Sequence, residues 1–232
     1  MSEKNIVIGI EGLVGAGKTS ICRALLNKIP NSIVIHCGNI YRAIMYAILS
    51  KGSNIKQLSK NMKDVNIKAY MDMFKIDIKI EDNQTVVYMD GVKLEEEKLQ
   101  SKEASMAVSV VGEIANHDKI FEFGREFINK YISTYNIILS GRDIMTMYPE
   151  VDYHLFITAS LDERIKRKCI QYKGSMTENE VRENITKRDL LQEKSGFYKI
   201  YPKTVKIDVT ECKTVDESAN KVLEYIKVPI TN

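Results

Sequence analysis

Short apolar runs alternate with stretches of helical periodicity along most of this chain. Residues 5–10, 32–37, 136–140, 153–158 and 205–210 read as buried strands, dominated by Ile, Val and Leu. Between them the spacing turns helical. Ile21, Ala24, Leu25 and Ile29 recur at helix intervals until Pro30 closes the segment. Over residues 118–131, Ile120, Phe121, Phe127, Ile128 and Tyr131 share one helical face. Ser160 with Glu163, Thr177 with Glu180 and Thr214 with Glu217 fit the capping box, in which hydroxyl and carboxylate satisfy free N–H groups. Gly174 and Gly196 stand where helix C-caps are expected. Short apolar strands separated by helices predict an α/β fold whose parallel sheet is covered on both faces.

One stretch breaks that alternation. Lys75 to Glu81 alternates apolar and polar residues with period two. Asp82-Asn83-Gln84 can turn the chain, Thr85 to Met89 follows, and Asp90-Gly91 can turn it again. The pattern predicts an antiparallel hairpin or small three-stranded sheet. Residues 64–100 are therefore read as an inserted β subdomain in a core formed by 1–63 and 101–232. Such an insertion is either an ornament or a lid over a second substrate.

Gly12-Leu13-Val14-Gly15-Ala16-Gly17-Lys18-Thr19 fits G-x-x-x-x-G-K-[ST], between an apolar strand and a helix. Glycines let backbone N–H groups approach phosphate oxygens with no Cβ in the way. The loop amides of Gly12, Gly15, Ala16 and Gly17 and the helix N-terminus at Lys18, Thr19 and Ser20 then face negative charge. Lys18 can reach the β- and γ-phosphates, and the Thr19 hydroxyl can ligate Mg²⁺. This cradle serves kinases, GTPases and motors alike, so the reaction must be read elsewhere. No N-K-x-D guanine motif occurs, because Asn27-Lys28, Asn129-Lys130 and Asn220-Lys221 all lack the aspartate. A motor ATPase is disfavoured because the run at 136–140 ends in Ser140 and not in an acidic Mg²⁺ partner.

Composition narrows the class only a little. A chain of 232 residues, 44% hydrophobic and 28% charged, suits a soluble globular protein with a self-sufficient core. A net charge of +3 is too mild to argue for nucleic acid. Cys22, Cys37, Cys169 and Cys212 form no C-x-x-C pair or zinc-ligand pattern, which fits free thiols in a reducing cytoplasm. No run approaches membrane-spanning length, and no signal peptide is evident at the N-terminus.

In an open α/β sheet, ligands bind beyond the C-terminal strand ends. Besides the glycine loop, that rule brings Cys37-Gly38-Asn39-Ile40-Tyr41-Arg42 and Ser140-Gly141-Arg142-Asp143 to the site. Arg42 and Arg142 would converge just beyond the γ-phosphate, and two such planar forks imply a second anionic ligand. A basic helix pair follows, with Arg164, Lys166, Arg167 and Lys168, then Arg182, Lys187 and Arg188. It reads either as a solvated amphipathic face or as a lid over about 164–196 that lowers arginines onto the transferring phosphoryl group.

Taken together, these residues resemble the bacterial cytidylate (CMP) kinases, a branch of the nucleoside monophosphate kinases. The family's D-G-P-S-G-A-G-K-[GS]-[ST] corresponds to Glu11 through Ser20, and its S-G-A-I-Y-R to Cys37 through Arg42. Its D-G-R-D-[MI]-G-T corresponds to Ser140 through Thr146, and F-L-x-A-S-x-E-x-R-x-x-R-R to Phe156 through Lys168. The R-D-x-x-D-x-x-R lid motif begins as Arg188-Asp189. The resemblance implies a three-layer P-loop kinase fold with an NMP-binding insertion and a helical lid, and a monomer. It implies phosphoryl transfer from ATP, with Mg²⁺, to CMP or dCMP. Lys18, Arg142, Arg164 and Arg188 would be catalytic, and Arg167 would join the loop in holding ATP. Cys37, Tyr41, Arg42, Ser109, Arg142, Asp143 and Arg188 would bind the acceptor. Departures fall at the acceptor site and lid: Cys37 for serine, Ser140 and Gln192 for aspartate, Ser195 for arginine, and no arginine between positions 43 and 124, where the family has one shortly after the helix carrying Ser109. They leave open a kinase of another small acceptor, or a nucleotide-binding regulator with impaired catalysis.

Overall fold

The computed structural model describes residues 4–50, 67–101, 104, 105, 108 and 117–227. The five apolar runs form five parallel strands: β1 (Val7–Gly12), β2 (Ser32–His36), β6 (Asn136–Ser140), β7 (Tyr153–Thr158) and β8 (Thr204–Asp208). They lie in the order β2-β6-β1-β7-β8. β1 starts and ends two residues later than the apolar run, because Glu11 and Gly12 continue the ladder beside Phe156 and Ile157. β2 ends at His36, and Cys37 already opens helix α2 (Cys37–Ser50).

Two faces of this sheet are buried, as a continuous apolar strand requires. On one face Ile8 and Ile10 pack with Ile21 and Leu25 of α1 (Lys18–Leu26) and with Val222 of the last described helix, Val215–Leu223. On the other, Val7, Ile33 and Leu139 pack against Phe121 and Ile128 of the helix His117–Tyr131, as its apolar stripe predicts. The short helix Ile144–Met147 also lies on this second face. It approaches β1 closely: a Cβ on Gly9 would stand 2.9 Å from Ile144 Cγ2. Register places Ile10, Ser140 and His36 side by side, so Gly141 and Cys37 leave the sheet at one level, while β1 runs two residues further beside β7.

The insertion forms as the period-two pattern predicts. Helix α3 (Ile67–Met73) leads into β3 (Ile76–Glu81) and β4 (Gln84–Met89), paired antiparallel. Asp82 and Asn83 supply the two left-handed turn residues, with φ of 47° and 59°. A short β5 (Val92–Lys93) and helix α4 (Glu96–Leu99) complete it. The hairpin does not stand apart as a separate sheet. β4 lies parallel to β2 at Val34 and Gln84, making one eight-stranded sheet. Val34 N donates to Asn83 O at 2.8 Å and His36 N to Thr85 Oγ1 at 2.9 Å.

All three hydroxyl caps are present. Ser160 opens α7 (Leu161–Tyr172), Thr177 opens α8 (Glu178–Lys194) with a complete capping box, and Thr214 opens α9 (Val215–Leu223). (The helices 117–131 and 144–147 are α5 and α6.) Gly196 follows α8 with φ of 70°, as expected, but after α7 the left-handed position falls first on Lys173 and then on Gly174. Among the described residues no helix is long and apolar enough to cross a membrane.

Candidate active site

β1 delivers the chain to Gly12, whose φ is 143°. A Cβ there would stand 2.0 Å from Ile157 O, so only glycine lets the loop leave the sheet beside β7. Gly17, with φ of 96°, caps α1 and turns the first helical N–H groups toward the loop. Lys18 Nζ donates to Gly12 O at 2.8 Å and Leu13 O at 2.7 Å. Thr19 and Ser20 line the same cavity as the loop, which encloses about 680 Å³.

The far wall of that cavity carries Arg42 from α2, Arg142 from the β6–α6 turn, Lys168 from α7 and Arg188 from α8. The two arginines expected to converge therefore do so, with two further cations. Their anchoring partners are neutral amides. Arg42 Nη1 donates to Asn39 Oδ1 at 3.0 Å, and Arg142 Nε donates to Gln192 Oε1. Arg42 Nε is buried without a partner among the described residues. Burial, then Arg188 and Arg142, pull Arg42 down to about 9. Burial also lowers Arg142 and Arg188, and Lys18 falls well below the usual lysine range through burial and then Arg142. Buried positive charges that repel one another and lean on neutral groups are costly. A polyanion in the cavity would offset the repulsion among these cations.

A second set of bonds holds the loop against the basic helices. Asp189 Oδ1 accepts from Val14 N at 3.2 Å and Tyr198 OH at 2.6 Å, and its Oδ2 accepts from Arg164 Nη1 at 2.5 Å. Arg164 also donates to Ala159 O at 3.1 Å and Val14 O at 3.0 Å. Arg164 is thus engaged behind the loop through Nε and Nη1 and is not among the residues lining the cavity. Arg167 does line the cavity, tied to Ala16 O at 3.1 Å, Val209 O at 2.9 Å and Glu163 at 3.0 Å. Asp189→Asn is expected to lose the ion pair and destabilise the protein by about 1.5–3 kcal/mol, the range for a hydrogen bond to a charged group. A urea midpoint unchanged from the parent would refute that role.

The residues expected to meet the acceptor divide. Arg42, Arg142 and Arg188 are on the wall, and so are Ser140, Gly38, His36 and Asn39. Cys37 turns away: its Sγ lies 3.9 Å from Ile35 O and packs in the apolar cluster below, where burial raises the thiol to about 12. Tyr41 packs among α2 and the hairpin, with its phenol pushed up by burial. Asp143 is buried beside the wall, accepting from Thr146 Oγ1 at 2.6 Å and Tyr201 OH at 3.3 Å, with Lys199 Nζ at 3.5 Å. Ser195 Oγ donates to Leu191 O of its own helix at 2.7 Å. Ser109 lies outside the described residues.

Pattern reading of the sequence misses one buried tie altogether. Glu11 Oε1 accepts from Ile144 N at 2.6 Å and meets His154 Nε2 at 3.0 Å, while His154 Nδ1 meets Thr204 Oγ1 at 2.7 Å. This clamp fixes the Arg142 turn to the root of the phosphate loop. The partners are far apart in the chain, and no local pattern joins them.

This geometry defines a P-loop phosphotransferase of the nucleoside monophosphate kinase type: a donor loop facing a second, strongly cationic anion site. The family model and the relatives in sequence agree. The cytidylate kinase family model matches residues 8–228. The cytidylate kinase of Caldanaerobacter subterraneus subsp. tengcongensis is 30% identical over 233 residues, covering 98% of this chain and 97% of that one. The cytidylate kinase of Clostridioides difficile is 30% identical over 229 residues, covering 97% of this chain and 99% of that one. Among solved structures, the shikimate kinase of Bacteroides thetaiotaomicron is 13% identical with a TM-score of 0.44, covering 96% of this chain and 99% of that one. The chain belongs to the cytidylate kinase family.

Proposed function

We propose that the protein transfers the γ-phosphoryl group of ATP to CMP or dCMP, giving ADP and the nucleoside diphosphate. The observation that carries this reading is the set of buried cations lining the cavity with the phosphate loop, of which Arg42 and Arg142 are held by neutral amides. The loop N–H groups and Lys18 hold the donor phosphates. Arg42 and Arg142 hold the acceptor phosphate, and Arg188 reaches between the two. An acceptor phosphate oxygen attacks the γ-phosphorus, and the bond to the β-γ bridging oxygen breaks. No covalent enzyme intermediate is required, so catalysis consists of positioning and charge stabilisation. Base contacts by Asp143 and Ser109 rest on the family pattern.

Mg²⁺ fits the donor set. Thr19 offers a hydroxyl on the cavity wall, and no cluster of three or more acidic, His or Cys side chains competes for a metal among the described residues. A Mg²⁺ held mainly by nucleotide phosphates needs no more from the protein. When bound, it neutralises charge on the β- and γ-phosphates. The lid role of residues 164–196 is supported by the presence of Lys168 and Arg188 among the residues lining the cavity.

The test is ADP release with ATP and Mg²⁺ against CMP, dCMP, UMP, AMP, GMP and no acceptor. CMP or dCMP is expected to give the highest kcat/KM. A higher value for any other acceptor would change the substrate, and ATP binding without transfer to any would make the protein a nucleotide-binding regulator.

A further inference from the structure

Lys168 stands where the family's helix carries the second of two adjacent arginines, and it is 9% exposed on the cavity wall. Its stem runs beneath the phosphate loop, since a Cβ on Gly15 would stand 3.4 Å from Lys168 Cγ. Its Nζ donates to Gln171 Oε1 at 2.7 Å and lies 5.4 Å from the Tyr172 ring centre, both neutral groups of α7. Every charged group acting on it is a cation: Arg188 from α8, Arg42 from α2 and Arg142 from the β6–α6 turn. Across the loop it faces Lys18 of α1, whose own ammonium it disfavours. The nearby carboxylates are engaged elsewhere. Asp189 serves Val14, Arg164 and Tyr198, Glu163 serves Arg167, and Glu96 and Glu97 of α4 meet Arg23 and Lys173.

We propose that Lys168 is a further phosphate-contacting residue of this site, and that it takes up a proton when a nucleotide phosphate binds; the inference rests on the nucleotide-binding reading above. An arginine in this position cannot discharge, whereas a lysine can. In the ligand-free protein, burial and then the three guanidiniums bring Lys168 down to about 7. Above neutrality the amine is therefore largely uncharged, which lowers the repulsion in the empty site. An incoming phosphate dianion reverses the field. The ammonium regains its charge and gains an acceptor, so binding and protonation favour each other. The sign follows: between about pH 7 and the bound-state value, the complex holds one more proton than its separated parts. Affinity then falls with rising pH, approaching tenfold per pH unit.

The experiment is calorimetric titration of the full-length protein with CMP and with ATP at pH 8, in buffers of different ionisation enthalpy. A nucleotide phosphate with its second pKa near 6 gives up almost no proton at that pH. Uptake approaching one proton is expected for the parent. Lys168→Arg is expected to bind at least as tightly at pH 8, with markedly less uptake than the parent and a flatter affinity from pH 7 to 8.5. Tight binding by the parent with no proton uptake overturns the proposal, whatever the variant does. Equal uptake by Lys168→Arg also overturns it and assigns the proton to Lys18. A parent protein that binds no nucleotide overturns this inference and the reading beneath it together.

Discussion

Lys18→Ala is expected to keep the parental fold and lose at least about 10³-fold in kcat, the scale for removing a cation that stabilises transferring phosphate. The two consequences separate because of where the ammonium sits. Its bonds are to Gly12 O and Leu13 O within the loop, burial and Arg142 disfavour its charge most, and Asp189 offsets only part of that. Removing it therefore relieves charge in the empty protein, and the thermal midpoint should hold or rise. In the loaded site the same removal strips the β- and γ-phosphates of their closest protein charge. Coupled ADP release and a thermal melt on one sample check both parts. Activity within tenfold of the parent would take Lys18 out of the chemistry.

Gly12→Ala is expected to be the most destabilising glycine-to-alanine change among the described residues, at more than about 4 kcal/mol, an exceptional value for a point substitution. The added carbon would lie 2.0 Å from Ile157 O, and the backbone φ of 143° lies outside the range a side chain favours. Neither β1 nor β7 can retreat, because both are central to the sheet. Gly91→Ala is the control. It also has positive φ, 76°, but nothing within 4 Å, and should cost only about 1–2 kcal/mol. Chemical denaturation of the two variants should rank them in that order; equal midpoints would mean that the loop yields where the packing says it cannot.

Much of this architecture is written locally and can be read without coordinates. The glycine loop, the apolar runs, the three hydroxyl caps and the Asp82-Asn83 turn each depend on neighbours within a few residues. The convergence of Arg42 and Arg142 also follows, because strand ends gather at one edge of a parallel sheet. What escapes is pairing at long range. Arg164 resembles a catalytic lid arginine in the sequence, yet Asp189, Val14 and Ala159 hold it behind the loop. Cys37 occupies an acceptor position but turns into the apolar layer, since α2 starts without an intervening loop and carries the side chain downward. Gln192 reads as a lost aspartate. In space it keeps hold of Arg142 through a neutral amide, while burial lowers the guanidinium and the charges of Tyr198, Glu11 and Asp189 act the other way. Glu11 and His154 meet only because β1 and β7 are adjacent.

The seam between β2 and the hairpin also governs self-association. Both ends of this sheet are guarded by charge: β3 shows Asp77 and Lys79 to solvent, and β8 shows Lys206 and Asp208. Alternating charges on outer strands discourage pairing with a second molecule. β2, by contrast, is wholly buried and reads Ser-Ile-Val-Ile-His, with its outward Val34 and His36 amides satisfied by Asn83 and Thr85 of the hairpin. Trimming the insertion to obtain a minimal kinase core would replace a charged border with an apolar, β-branched one whose donors are open. The shortened protein would gain a sticky edge, and would collect as aggregate before its catalysis could be judged.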